Sequence, residues 1–160
     1  MTELDEEFEA VDAGASDTVP IQAGCVKHGS YICISGRPCK VVAYSTSKTG
    51  KHGHSKAAIT GIDIFNGKKL EDVQPSSHNM EMPILKRSEF QVISVDGEEY
   101  CTLMDIKGNT RSDLKLPDQT EGDTTTSERI KDGLNAGREV LVTVLSAMGI
   151  EKIETAKDTS

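Results

Sequence analysis

From residue 30 onward, apolar positions recur at short, strand-like intervals instead of helical ones. Ser30–Ser35 alternates in part and is bounded by Gly29 and Gly36, which predicts a strand. Cys39–Ser45 holds Val41, Val42 and Tyr44, side chains that favour a pleated backbone. Ser55–Phe65 sets Ile59, Ile62 and Ile64 among smaller or polar residues and reads as a third strand. Asn66-Gly67 is a two-residue hairpin signal, because a type I′ turn needs positive φ at both centres. Lys69–Gln74 then reads as the return strand, ended by Pro75. Strands this short at this spacing predict a small barrel.

A second set follows Pro83. Strands are predicted at Glu89–Val95, Glu98–Met104 and Thr110–Leu116, with turns at Asp96-Gly97 and Gly108-Asn109 and a stop at Pro117. Gln119–Ser127 is polar and rich in threonine, so it reads as a loop. Ser127 is placed to cap a short helix, Glu128–Asn135, that Gly137 ends. Glu139–Leu145 is the most apolar strand, and Ile150–Ile153 adds a last short one. One short helix among the strands of a small β unit is compatible with an OB-type barrel. The boundary between the two sets is expected near Met82–Leu85.

Composition narrows the classes. The 160 residues are 36 % hydrophobic and 4 % aromatic without tryptophan, lean for a packed core yet richer than a wholly disordered chain. A formal net charge of −8 excludes a uniformly basic nucleic-acid coat. No apolar run approaches the ~20 residues of a membrane helix, and the acidic N-terminus lacks a signal-peptide core, so a soluble intracellular protein is expected. Cys25, Cys33, Cys39 and Cys101 form no CxxC pair, so neither a zinc knuckle nor a thioredoxin-type motif is expected, and without a secretory signal the thiols are expected to be reduced. Cys33, inside Tyr31-Ile32-Cys33-Ile34, is expected to be a buried small hydrophobe.

The charge is segregated. Residues 1–17 carry seven acids and no base, residues 18–69 carry eight bases and the single acid Asp63, and the remainder is acidic again. Residues 1–17 are therefore expected to form a disordered acidic tail, with order beginning near Val19-Pro20-Ile21. A central basic block suggests contact with a polyanion, although charge alone leaves a plain solvated surface equally open.

Within that block, Ser45–Lys56 holds no large apolar side chain, three lysines (Lys48, Lys51, Lys56) and two histidines (His52, His54). As a twelve-residue connection between strands it is long enough to signal function or mobility. Gly50 and Gly53 flank Lys51-His52, which lets the backbone turn tightly and puts Lys51 at the tip. A phosphate-binding P-loop is excluded: Gly50-Lys51 is followed by His52, Ser45 stands where the first glycine should, and a strand follows instead of a helix. His52 and His54 lack a nearby cysteine or carboxylate to complete a metal site. A nucleophilic lysine needs burial that a glycine-flanked tip does not offer. A basic finger that inserts into something anionic remains, or a solvated loop.

The segment Ser-Thr-Ser-Lys48-Thr49-Gly50-Lys51-His52-Gly53-His54-Ser-Lys56 resembles the hypusine loop of the eukaryotic translation initiation factor 5A family, related to archaeal homologues and to bacterial elongation factor P. Arg37-Pro38-Cys39-Lys40-Val41-Val42, Ile62-Asp63-Ile64-Phe65 and Thr143-Val144-Leu145-Ser146-Ala147-Met148-Gly149 extend the resemblance to nearly everything from about residue 17 to 155. It departs in two places. Ser55 stands where many members have alanine, and the segment 118–127 looks longer than usual.

The resemblance implies a mainly all-β chain: an N-terminal SH3-like barrel over residues 18–83, after the 1–17 tail, and a C-terminal OB-fold domain over 84–160 with one short helix. It further implies conversion of Lys51 to hypusine. Deoxyhypusine synthase would transfer an aminobutyl group from spermidine, and deoxyhypusine hydroxylase would add a hydroxyl. Lys48, Thr49, Gly50, His52, Gly53, His54 and Lys56 would contact RNA or the modifying enzyme. The implied activity is that of a translation factor, not an enzyme. It would bind large-subunit ribosomal RNA beside peptidyl-tRNA, promote peptide-bond formation at stalling sequences such as polyproline, and assist termination. No metal, other cofactor, membrane or DNA partner is implied, and the location would be cytoplasmic with nuclear shuttling open to it. The alternative is a general single-stranded RNA-binding OB protein. Against it stand an acidic second domain and only Phe90 and Tyr100 as aromatics there.

Overall fold

The computed structural model describes residues 17–48 and 55–159. Internal contacts divide the chain into two compact units, Met1–Ile84 and Leu85–Ser160, each with its own apolar core.

In the first unit, β2 (Tyr31–Ile34), β3 (Arg37–Lys48), β4 (Ser55–Asp63) and β5 (Lys69–Pro75) form an antiparallel sheet in that order, and β1 (Thr18–Gln22) pairs with β6 (Asn79–Pro83). Alternation puts Ile32, Ile34, Val41 and Ile59 on the inner side, where Ile21, Met80 and Met82 of the β1–β6 pair close over them. Cys33 lies between two core positions and faces the other way, so it is half-buried instead of being a core residue as the apolar run suggested. The tail expected at residues 1–17 lies outside the described residues apart from Asp17, whose carbonyl accepts from Ile84 N at 2.9 Å.

The turn chemistry differs from expectation in an instructive way. Asn66 is not in the left-handed region, so no type I′ turn forms there. Instead Asp63 organises a wider turn. Its N–H donates to the Lys68 carbonyl (2.8 Å), its carbonyl accepts from Gly67 N (2.9 Å), and its Oδ1 accepts from Phe65 N (2.8 Å) and Asn66 N (3.2 Å). Among the described residues, the two-residue turns with positive φ at both centres are Ser35-Gly36 and Met148-Gly149.

In the second unit the sheet order is β11-β10-β7-β8-β9, with β7 (Lys86–Val95), β8 (Tyr100–Met104), β9 (Thr110–Lys115), β10 (Glu139–Ala147) and β11 (Ile150–Thr159) all antiparallel. Arg111 of β9 bonds Glu151 of β11 (2.6 Å) and so bridges the two ends of the sheet toward closure. The core is Val92, Leu103, Leu116, Ile130, Val140, Val142, Val144 and Ile153. This is the OB-fold domain, and with the N-terminal barrel it makes a mainly β protein whose only α-helix among the described residues is α1, Glu121–Asn135.

That helix is twice as long as expected. The segment read as a loop, Gln119–Ser127, supplies its first turns. Thr120 is the N-cap: its Oγ1 accepts from Asp123 N (3.0 Å), and Asp123 Oδ2 accepts back from Thr120 N (3.2 Å). Asp123 is buried and paired with Lys152 (2.8 Å), and Thr126 is buried beside it, so tertiary contacts outweigh the weak helix propensity of three threonines. Ser127 donates to the Pro117 carbonyl (2.6 Å) and is mid-helix, not a cap. β11 is likewise longer than Ile150–Ile153, because its polar half pairs through the backbone as far as Glu139↔Thr159.

Candidate functional site

β3 and β4 form a hairpin arm. Past Tyr44, the last β3 side chain packed against the core, Ser45–Lys48 are all exposed. They still pair in register with Ser55–Ala58, ending at Lys48↔Ser55. At about 3.4 Å per residue, the three steps from Ser45 to Lys48 carry the arm about 10 Å farther. The connection expected to span Ser45–Lys56 is therefore shorter. Backbone pairing needs no apolar side chains, and serine and threonine sit well on an exposed pleat, so the strands consume six of the twelve positions. The other six, Thr49, Gly50, Lys51, His52, Gly53 and His54, lie outside the described residues.

The root of the arm is braced by two partners, Ser76 and Ala23, that pattern reading did not single out. Ser76 N donates to the Ser55 carbonyl and the two hydroxyls bond, both at 2.8 Å. Tyr44 Oη donates to the Ala23 carbonyl (3.2 Å) in the short 3-10 turn Ala23–Cys25. Ala57, beside the root, is fully buried. Position 55 thus carries a specific hydrogen bond that an alanine there could not make.

Lys48 and Lys56 are exposed on either side of the six-residue tip. No acid lies between Asp17 and Asp63, so the arm's local charge is wholly cationic. At the far end of β4, Asp63 is buried and receives Arg37 Nε at 2.6 Å. Burial pushes its carboxyl up, but the Arg37 hydrogen bond and the Phe65 and Asn66 amides outweigh that and hold it below the usual carboxylate range.

Elsewhere the chemistry is quiet. No disulfide joins the four cysteines. Burial pushes the Cys39 and Cys101 thiols up to about 11, far from a reactive thiolate. Among the described residues no group of three or more His, Cys, Asp or Glu could hold a metal ion, and no helix is long and apolar enough to cross a membrane. In the OB domain, Phe90 packs on the core with Arg111 over its ring at 5.9 Å, and Lys115 lies over Tyr100 at 5.4 Å. Each ring thus has a cation of its own domain beside it.

Two family models cover both units. "Translation initiation factor 5A-like, N-terminal" matches residues 16–78, and "Eukaryotic elongation factor 5A hypusine, DNA-binding OB fold" matches residues 84–157. The chain belongs to the translation initiation factor 5A family. Among curated family members it is similar to eukaryotic translation initiation factor 5A-1 of Arabidopsis thaliana, 48 % identical over 158 residues, covering 99 % of this chain and 98 % of that protein. It is 51 % identical over 152 residues to the factor 5A of Zea mays, covering 94 % and 92 %. A solved factor 5A family protein of Naegleria fowleri superposes with a TM-score of 0.80 at 55 % identity, covering 88 % of this chain and 99 % of that one. The factor 5A of Methanococcus jannaschii gives a TM-score of 0.67 at 36 % identity, covering 88 % and 96 %. This family member is thus a translation factor of two β domains, with the arm on the first.

Proposed function

We propose that the chain binds the ribosome beside peptidyl-tRNA and promotes peptide-bond formation at stalling sequences such as polyproline, and that it assists termination, through a hypusine formed on Lys51. The supporting observation is the cationic β3–β4 arm, braced at Ser55–Ser76 and closed by only six residues with Lys51 third among them. Deoxyhypusine synthase would extend the Lys51 amine with the aminobutyl group of spermidine, and deoxyhypusine hydroxylase would add the hydroxyl. The modified side chain roughly doubles the reach of lysine and presents two amines in place of one.

The division of labour follows from the residues. The paired strands hold the tip's root in place, Gly50 and Gly53 allow close approach of the backbone, and Lys48 and Lys56 supply phosphate contacts. Thr49, His52 and His54 add hydrogen-bonding groups toward RNA or the modifying enzyme. The factor performs no bond chemistry. It orients the acceptor end of the tRNA, and holding reactants in place lowers the barrier for the ribosome's own reaction. Such a role places it in the cytoplasm.

Intact mass of the protein from its native host tests the modification: an adduct of hypusine size should map to Lys51. Lys51→Arg keeps the charge but cannot accept the aminobutyl group, and is expected to abolish function in cells with the fold unchanged. Normal growth of cells carrying only that variant overturns the proposal.

A further inference from the structure

Among the described residues of its unit, no layer covers the outer face of the β2–β5 sheet around Lys40, Ala43, Ala58 and Val73, all of which are exposed. Register puts Tyr31, Lys40, Ile62 and Lys69 in one row, Ala43, Thr60 and Glu71 in the next, then Ser45, Ala58 and Val73, and finally Ser47, Lys56 and Pro75. Val73 is 60 % exposed, and Val42, at the β3 bulge, 42 %. Three lysines thus frame a shallow apolar slab, and the single acid on it, Glu71, lies 3.9 Å from Lys69.

We infer that residues 1–16 of the same chain dock on this face and compete there with polyanions. Their chemistry matches it. Six acids (Glu3, Asp5, Glu6, Glu7, Glu9, Asp12) are interleaved with Leu4, Phe8 and Val11, and no base occurs. The geometry allows it. The segment leaves at Asp17, next to β1, on the layer that packs against the inner side of the sheet. With layers about 10 Å apart and strands about 4.8 Å apart, the way round the sheet edge is about 25–30 Å. Sixteen residues reach roughly 50 Å when extended, so about half of them remain to lie across the face. Carboxylates there meet Lys40, Lys56 and Lys69, while Phe8 and Val11 cover Val73, Val42 and Ile62. A nucleic acid seeking the same lysines must displace the segment, so weak, non-specific RNA contacts are suppressed and a tightly held ribosomal site is not. This contact does not depend on the modification of Lys51.

The test uses the full-length, unmodified protein with Phe8→p-benzoylphenylalanine. Irradiation of dilute protein at low salt is expected to give intramolecular cross-links to the outer face of β3–β5, located by peptide mass spectrometry. The yield should collapse at about 1 M salt, where the Debye length is about 3 Å. Lys40→Glu with Lys69→Glu should lower it about three- to tenfold, as expected for two surface ion pairs. Excess oligouridylate should lower the yield as well. Cross-links to other surfaces, no intramolecular cross-link, or a yield indifferent to the lysine changes overturns the docking. A cross-link on this face that persists undiminished under saturating oligouridylate overturns the competition.

Discussion

Replacing Asp63 by asparagine isolates one charge at the foot of the first barrel. Asp63 Oδ1 accepts the Phe65 and Asn66 amides, and asparagine's Oδ1 can keep both. Oδ2 accepts Arg37 Nε at 2.6 Å, and there the amide would turn a donor toward a donor. Loss of one charge-assisted hydrogen bond costs about 1.5–3 kcal/mol, and a buried amide donor without a partner costs about 1–3 kcal/mol more. Arg37 is 36 % exposed and can turn to water, so the upper end of that sum is not reached. The expected cost is about 2–4 kcal/mol for Asp63→Asn, against about 3–5 kcal/mol for Asp63→Ala, which also strips the turn amides of their acceptor. In an Arg37→Met background Asp63→Asn should cost far less, because its partner is already gone.

The measurement is urea unfolding followed by NMR amide signals of β3 and β4 and, separately, of β7 and β10, since the two units need not unfold together. The pH dependence has a definite sign. The folded carboxyl lies below its unfolded value of about 3.9, so its stabilisation is present above that pH and lost as pH falls through the folded value. The gap between the native protein and Asp63→Asn should therefore shrink below about pH 4. An asparagine variant within about 1 kcal/mol of the native protein at pH 7, or one equally costly without Arg37, would refute the argument.

Gly133→Ala should destabilise the second unit by about 1–2 kcal/mol, because a Cβ would lie 2.6 Å from Val140 Cγ2 and overpacking outweighs the helix-propensity gain; a stabilised variant in thermal unfolding contradicts this. Thr120→Ala should cost about 1 kcal/mol and speed amide exchange in the first turn of α1, leaving β3 and β4 unchanged. Ribosome binding across a salt series should be steeper for modified than for unmodified protein by about one to two units of slope, since two amines reach phosphates that lysine reaches poorly. Equal slopes would remove the electrostatic part of that account.

Short strands around local turns were legible, because period-two patterning and glycine-bearing turns act within a few residues. Lys86–Val95 and Tyr100–Met104 lie close to where the pattern put them, and the loop motif around Lys51 named the family. Where the sequence misled, distant partners decided. Asn66-Gly67 carries the dipeptide of a tight turn, yet the buried Asp63 carboxylate, held by Arg37, gathers the turn amides into a wider one. Thr124-Thr125-Thr126 argues against helix in isolation, and becomes helix because the Thr120–Asp123 capping box and the Asp123–Lys152 pair hold that turn against β11.

What the sequence by itself determined is the alternation of strands and turns, the segregation of charge and the glycine-flanked lysine, since each is a property of neighbours along the chain. Only the tertiary structure decided how far polar strands extend. Ser45–Lys48 and the latter half of β11 have no apolar face to announce them, and they are strands because the backbone across the ladder supplies hydrogen-bond partners along their whole length, at alternate residues. The arm that carries Lys51 was therefore visible as chemistry in the sequence, while its length and its bracing at Ser76 and Ala23 appear only when residues about twenty positions apart meet.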